Sequence, residues 1–224
     1  MQPIRTRALL RAVWLFAVLV MAFSFTMLGN SNPKSLYDTY DLEHLDDYSN
    51  PDIVREFERV IIFESLDHSK NAINLRNSTY EELAKIPDPI RRAFIDRGWM
   101  LYVGEEKIQE DQANYDNPIM GITNYDHKYI AVKNLTTLLH EFGHFYQYAS
   151  GAMDSFDVYY DTDKDIMNAV STYAASTPHE FFATTFNCYI HDRICFKNYI
   201  TDATKDGMPT TWGYFETMEA QNWM

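Results

Sequence analysis

The chain has 224 residues, of which 46% are hydrophobic and 15% aromatic, and its formal net charge is −13 at pH 7. This length and hydrophobic content are sufficient for one folded domain with a substantial core. Because an acidic surface of this size repels the phosphates of nucleic acids and of anionic lipid headgroups, we expect no nucleic-acid partner.

An apolar segment is the first element of the chain. Residues 12–28 are 17 uncharged, mostly apolar residues that follow Arg5, Arg7 and Arg11. A basic flank before such a segment is typical of an export signal, and its length is at the lower limit for a transmembrane helix. We therefore expect residues 1–31 to be a signal peptide or an N-terminal membrane anchor, with a buried core helix as the alternative. The rest of the chain is then secreted or extracellular, and the anchor is its only expected membrane contact.

A polar segment separates this element from the main domain. Residues 32–58 are rich in Asp and Tyr and are predicted to form a polar acidic arm, whereas residues 59–224 form the domain itself. Within the arm, a short helix over residues 51–57 can follow Asn50 as its N-cap, since Pro is favoured at the first helical position. The mostly β-branched residues 60–63 predict a buried strand.

Two helices and a second strand are predicted next. Residues 77–79 can cap a helix that has acidic residues in its first turn. Residues 90–96 form another helix, which Gly98 ends. Residues 99–103 are predicted to be a strand. Residues 105–117 are acidic and show no periodic pattern, so we expect a loop.

A hairpin and a long helix follow. Residues 119–123 and 129–132 are two short strands around a turn, and residues 134–150 form a helix that Gly151 ends. Residues 153–165 are acidic and aromatic, and we expect a solvated loop. Calcium binding is the alternative for that loop, but an EF-hand would require a Gly where this sequence has Ile.

Two further helices are predicted near the C-terminus, over residues 178–190 and 209–224. The first of them contains Cys188, and Cys195 follows it. In one unbroken helix seven residues rise roughly 10 Å, beyond the limit of about 7 Å for a disulfide. A disulfide therefore requires the helix to end between the two cysteines, and bridged and reduced thiols both remain open.

The long helix contains the motif H-E-x-x-H. His140 and His144 are one turn apart, so both imidazoles leave the same face of the helix and can bind Zn²⁺. Glu141 can reach a water at such a site as general base. The apolar residues around the motif indicate a buried helix. The motif therefore predicts a zinc site with an open position for chemistry.

Zinc needs a third protein ligand. Glu180 follows Pro178 and His179 and precedes two phenylalanines, so burying its charge is costly unless a counter-charge such as zinc is present. The alternative is a partly exposed glutamate in the first turn, stabilised by the helix dipole. By chemistry alone the candidates are Cys188, His179, His191, Asp165 and Glu180.

Residues 137–146 and 173–183 resemble the anthrax lethal factor-like metallopeptidases, and in size the chain is similar to the small secreted Pro-Pro endopeptidases. Residues 209–215 are similar to a C-terminal segment of that family. The resemblance implies that Glu180 is the third ligand of one zinc ion per chain and that Tyr173 stabilises the transition state. It also implies an α/β (α+β) zincin-like domain, with a small mixed sheet packed on the motif helix and a helical C-terminal part.

The sequence departs from this family at three places. Thr184 replaces a second acid four residues after Glu180, and it can still hydrogen-bond a ligand histidine. His179 replaces an acid, and the loop of residues 113–118 lacks a lysine and has Tyr115 in place of a tryptophan. We expect Tyr115, His179 and Tyr129 to contact substrate, the last because the hairpin edge at residues 129–132 can pair with an extended peptide.

These features together predict a secreted or surface-tethered zinc endopeptidase. Its expected partner is a polypeptide substrate, cleaved at proline-containing sites as the resemblance implies, and we expect a monomer. The alternative is a non-catalytic, zinc-stabilised extracellular binding module. Glu141 argues against that alternative, because a structural zinc site has no use for a general base.

Overall fold

A computed structural model describes residues 43–64, 70–169, 171–191 and 207–224. The predicted export segment and Cys195 lie outside these residues, so the N-terminal element with its boundary at residue 31 and the pairing of the cysteines remain predictions. The expected boundary at residue 58 stays a prediction as well. Within the described ranges, no helix is long and apolar enough to span a lipid bilayer.

Helices and short strands alternate in the first half of the domain, and helices alone follow. The helices are α1 (Pro51–Phe57), α2 (Lys70–Lys85), α3 (Asp88–Asp96), α4 (Glu106–Gln112), α5 (Leu138–Ser150), α6 (Asp157–Asn168), α7 (Pro178–Ile190) and α8 (Pro209–Ala220). The strands are β1 (Ile61–Phe63), β2 (Met100–Val103), β3 (Gly121–Asn124) and β4 (Tyr129–Val132). A 3₁₀ turn, Leu135–Thr137, leads directly into α5.

The four strands form one mixed sheet in the order β1-β2-β4-β3. β1 pairs with β2, and β2 with β4, in parallel, whereas β3 and β4 form the predicted antiparallel hairpin. β4 is therefore an inner strand with partners on both sides. The edge of the sheet beside the motif helix is β3, which corrects the expectation that residues 129–132 offer a free edge.

Helix α5 packs on β3 and β4 with one side and on α7 with the other. Gly143 allows the close approach to α7, because a Cβ there would lie 2.8 Å from Cα and 2.9 Å from the carbonyl oxygen of Ala183. This close approach lets side chains on the facing sides of α5 and α7 contact one another.

We expect Gly143→Ala to destabilise the domain by about 1–3 kcal/mol, since the helices must separate to admit the methyl group. For a chain of this size that corresponds to a fall in Tm of roughly 2–4 °C per kcal/mol. The matched control is Gly213→Ala in α8, where a Cβ meets no atom within 4 Å. Because Ala is the better helix former, the control is expected to gain about 0.5–1 kcal/mol. Equal changes in Tm for the two variants would contradict this account of the α5–α7 contact.

Aromatic side chains form much of the core around α5. The rings of Phe94 and Phe142 have centroids 4.9 Å apart, and those of Trp99 and Phe145 are 5.0 Å apart. Residues 43–58, which belong to the predicted arm, also contribute, because Val54 and Phe57 of α1 are fully buried. Asn50 precedes α1 as predicted but makes no side-chain capping hydrogen bond.

Helix α2 begins before residues 77–79, so the prediction of a capped start at that point was wrong. The polar side chains have other partners within the helix. The Thr79 hydroxyl donates to the carbonyl oxygen of Leu75 at 2.8 Å, and Asn77 Oδ1 accepts from the backbone N–H of Ser49 at 3.0 Å. Short polar residues can therefore lie inside a helix when local and long-range acceptors satisfy them.

Two segments predicted as loops are helical. In α4, Ile108 is buried beside Tyr129 and Ala131 of the sheet. In α6, Asp163 is buried and accepts hydrogen bonds from Thr211 of α8, at 3.0 Å from the backbone nitrogen and 2.6 Å from the hydroxyl. These partners are distant in sequence, so the patterns of the segments themselves could not show them.

Candidate active site and metal centre

The H-E-x-x-H histidines and Glu180 converge on one point between α5 and α7. The Nε2 atoms of His140 and His144 lie 3.1 Å and 3.6 Å from Oε2 of Glu180. Ligand atoms of the three side chains all lie within 4.8 Å of one another. The N-cap of α7 fixes the backbone at Glu180, since the Thr177 side chain accepts a hydrogen bond from the backbone nitrogen of that residue at 3.2 Å.

The other candidates for a third ligand lie outside the three-residue cluster. His191 pairs with Glu82 at 3.5 Å, and His179 Nδ1 lies 3.1 Å from Oε1 of the buried Gln147. Cys188 is buried within α7 and Asp165 is exposed on α6. Among the described residues, no other group of His, Cys, Asp and Glu side chains has the spacing of a metal site.

The three side chains of the cluster interact electrostatically. Burial alone would raise the pKa of Glu180, but hydrogen bonds from His140 and His144 lower it overall. Burial lowers the pKa of His140, whereas the hydrogen bond to Glu180 and the charges of both glutamates raise it overall. Two imidazoles and one carboxylate are a donor set of catalytic zinc sites, so the residues present fit this metal.

Thr184 contacts the first histidine of the motif. Its hydroxyl oxygen lies 3.4 Å from Nδ1 of His140, on the side of the ring away from Glu180. A hydrogen bond at Nδ1 leaves Nε2 as the nitrogen that can bind a metal. Thr184, which stands where the resembling family has an acid, is therefore placed as a partner of this histidine.

Glu141 is buried beside the cluster, with 6% of its surface exposed. Burial raises the pKa of its carboxyl group, and the charges of His140 and His144 and a hydrogen bond from Thr123 oppose that increase. The Thr123 hydroxyl lies 2.8 Å from Oε2 of Glu141. A buried carboxylate with a raised pKa is suited to accept a proton.

The cluster opens into a cleft of about 930 Å³, which Tyr115, Tyr173 and His179 also line. Tyr173 is 63% exposed, and its ring centroid is 6.4 Å from that of His140. The pKa of Tyr173 is raised, first by partial burial of the hydroxyl and then by the charge of Glu180 and a hydrogen bond to it. These three predicted residues therefore surround the site.

Tyr129 lies outside the cleft. It is 5% exposed on the inner strand β4, and its hydroxyl donates to Asp111 Oδ2 at 2.5 Å and accepts from Asn124 Nδ2 at 3.2 Å. Tyr129 pairs with residues of both neighbouring strands and does not line the cleft. The structure therefore contradicts the expected contact of Tyr129 with substrate.

Several residues that line the cleft were not predicted from the sequence, among them Tyr125, Gly121 and Thr123. Tyr125 lies in the hairpin turn, where its ring contacts Trp99 and Tyr148 with centroid distances of 6.2 and 5.2 Å. Gly121 and Thr123 are on β3 beside Glu141. The alternation of a strand places residues 121 and 123 on the same face, and this signal could have found the pair.

No family model and no curated protein matches this chain. Among solved structures, it is similar to the Pro-Pro endopeptidase (PPEP-2) from Paenibacillus alvei, with a TM-score of 0.54 and 15% sequence identity. The match covers 73% of this chain and 99% of the other. At this identity the likeness concerns the fold. It confirms the predicted α/β class, a small mixed sheet packed on the motif helix with helices in the C-terminal part.

Proposed function

We propose that this protein is a zinc-dependent endopeptidase of the lethal factor-like type. The observation that supports this most directly is the convergence of His140, His144 and Glu180 next to a buried Glu141. Structural zinc sites bind their metal with four protein ligands, whereas catalytic sites have three and keep one position for water. A glutamate adjacent to a three-residue donor set therefore favours catalysis over a binding module.

The proposed mechanism assigns a role to each side chain. Zinc bound by the two histidines and Glu180 supplies Lewis-acid polarisation of the scissile carbonyl and a water of lowered pKa. Glu141 accepts the proton of the attacking water and later donates it to the leaving nitrogen. The Tyr173 hydroxyl donates a hydrogen bond to the oxygen on which negative charge develops. These atoms all belong to the described cleft.

The edge strand β3 supports a mode of peptide binding. Lys133 N–H donates to the Met120 carbonyl at 2.8 Å, and Ile122 is paired with Ala131 in the same register. Hydrogen-bonded and non-hydrogen-bonded pairs alternate in an antiparallel ladder, so the backbone groups of Gly121 and Thr123 point away from β4. An extended peptide can add to this free edge as a further strand.

The substrate class is part of the proposal. The neighbour's name states that it acts on Pro-Pro bonds. Two exposed tyrosines at the cleft, Tyr115 and Tyr173, support a preference for peptides with proline near the scissile bond, because aromatic-lined grooves bind extended proline-rich segments. His179 offers a further polar contact on the same wall.

The cellular location is also proposed, with separate support. The apolar residues 12–28 follow three arginines, a pattern typical of export, and the remaining chain is acidic. We propose that the enzyme acts outside the cytoplasm, either secreted or tethered by that segment, and as a monomer.

Two measurements on the purified protein test the proposed function together. The expected zinc content is about one ion per chain. A peptide library that contains proline-rich members should show cleavage by the zinc-loaded protein and none after chelation. Stoichiometric zinc without cleavage of any peptide would favour the non-catalytic binding module, and absence of zinc binding would refute both functions.

Replacing Tyr173 by phenylalanine tests its proposed role in the transition state. Removing one donor to a developing oxyanion lowers kcat by roughly 10²–10³-fold. KM and zinc content should stay close to the wild type, because the hydrogen bond forms mainly in the transition state. Stability should change little, since the side chain is 63% exposed. A matched control is Tyr148→Phe, also exposed but outside the cleft. A Tyr173→Phe enzyme with unchanged kcat would leave this tyrosine a packing role only.

A further inference from the structure

Two residues of the edge strand surround the Glu141 carboxylate. Gly121 and Thr123 are two positions apart on β3, so both face α5. The hydroxyl of Thr123 lies 2.8 Å from Oε2 of Glu141 and 3.0 Å from the backbone carbonyl oxygen of the same residue. The threonine therefore contacts both the side chain and the main chain of the proposed general base.

Gly121 leaves space for the other carboxylate oxygen. A Cβ at this position would lie 2.5 Å from Oε1 of Glu141 and 2.9 Å from its Cγ. Gly121 does not have a positive φ, so its backbone conformation is open to other residues. The glycine is needed here for space rather than for conformational freedom, and the carboxylate occupies the volume that a side chain would fill.

We propose that Gly121 and Thr123 are positioning residues that fix the Glu141 carboxylate for proton transfer. The inference rests on the proposed peptidase function, in which Glu141 is the base. The backbone groups of these two residues also point to the free edge of β3. One short strand therefore sets both the register of the bound peptide and the position of the base, so that the scissile carbonyl and the carboxylate are located by the same residues.

A simpler role for Thr123 is packing, since threonine is common in strands. Three variants separate the two roles. Thr123→Val keeps the shape and loses the hydroxyl, Thr123→Ser keeps the hydroxyl and loses the methyl group, and Gly121→Ala pushes against the carboxylate. The matched control is Thr162→Val on α6, where an exposed hydroxyl donates only to the Val158 carbonyl of its own helix.

The variants are expected to differ in kcat. Thr123→Val should lose about 10–100-fold in kcat, because a hydrogen bond to a charged group is lost. Gly121→Ala should lose about 100-fold, the usual effect of a displacement near 1 Å at a reacting group. Thr123→Ser and Thr162→Val should stay near the wild type. Zinc content should change little in all four variants, because no proposed zinc ligand is altered. KM should also change little, because the proposed peptide contacts of β3 are made by backbone groups, which the substitutions keep.

Crystal structures of the zinc-loaded wild type, Thr123→Val and Gly121→Ala give a readout that does not depend on turnover. The Glu141 carboxylate is expected to move in both variants and to keep its place in the wild type. If the wild type cleaves no peptide, the proposed function fails, and the crystal structures alone decide whether these residues position the carboxylate. An active wild type with an unchanged carboxylate and unchanged kcat in both variants would overturn this inference. A Thr123→Ser enzyme as slow as Thr123→Val would assign the threonine to packing.

Discussion

Replacing Glu141 by glutamine is expected to lower kcat by about 10²–10⁴-fold, the usual contribution of a positioned general base. The amide has nearly the same size and can still accept the hydrogen bond from Thr123, but it cannot take the proton of the attacking water. Zinc binding should be retained, because the proposed ligands His140, His144 and Glu180 are unchanged. The measurements are kcat on the best peptide of the library and zinc content.

Stability gives an independent check on the same variant. Burial raises the pKa of Glu141, so its ionised form is less stable in the folded than in the unfolded chain. The sign of the pH dependence of stability follows from this pKa shift. Below the unfolded-state pKa the carboxyl is protonated in both states, and its destabilising effect develops as pH rises through the two pKa values. At neutral pH the zinc-free Glu141→Gln protein should therefore have a Tm equal to or above that of the wild type.

The matched control for this variant is Glu64→Gln. Glu64 is half-buried and, like Glu141, has a pKa that burial raises. Its Oε1 accepts a hydrogen bond from the backbone nitrogen of Lys107 at 3.0 Å. It does not line the cleft. The control should keep full activity. A Glu141→Gln enzyme that remained as active as this control would falsify the assignment of Glu141 as the base.

Replacing Glu180 by alanine is expected to have the largest effect on metal binding. Loss of an outer partner of a metal ligand alone weakens affinity by about 10–100-fold, so removal of a ligand should weaken it by more than about 100-fold. Zinc then no longer has three protein donors, and peptide cleavage should fall in proportion to the zinc that is lost. Titration with zinc under a competing chelator measures the change in Kd directly.

The control for the metal prediction is Glu82→Ala. Glu82 also faces a histidine, His191, at 3.5 Å, but at a different place in the fold. This variant removes a carboxylate beside an imidazole without touching the cluster, so its zinc affinity should equal that of the wild type. Full zinc occupancy in Glu180→Ala would contradict the proposed ligand set and would direct the search for the third donor to His179.

Local patterns were sufficient for most elements of the fold. The strand at residues 60–63, the hairpin and the helix over residues 178–190 were predicted because each has a periodicity or a bounding residue in its own sequence. Gly98 and Gly151 end their helices with φ values of 71° and 75°, as their type predicts.

The errors share a cause. The helices α4 and α6 were predicted as acidic loops, yet each is stabilised by a contact far away in the chain. Ile108 of α4 packs on the sheet at Tyr129, and Asp163 of α6 accepts from Thr211 of α8. Sequence periodicity depends only on the residues within one element. It therefore gives no information on a contact with another element in the folded chain.

The sequence by itself determined that His140 and His144 share one helix face and that Glu141 lies next to that face, because the spacing of residues in a helix is a local property. Only the tertiary structure decided which carboxylate joins them. Glu180 is 36 residues after His144 (180 − 144), and five side chains were eligible by chemistry. The packing of α7 on α5, which Gly143 makes close, brings the carboxylate of Glu180 to the histidines, because the distance between two helices depends on the side chains at their crossing. Strand order likewise decided that β3, and not β4, presents the free edge, since pairing across a sheet is set by elements that are distant in sequence.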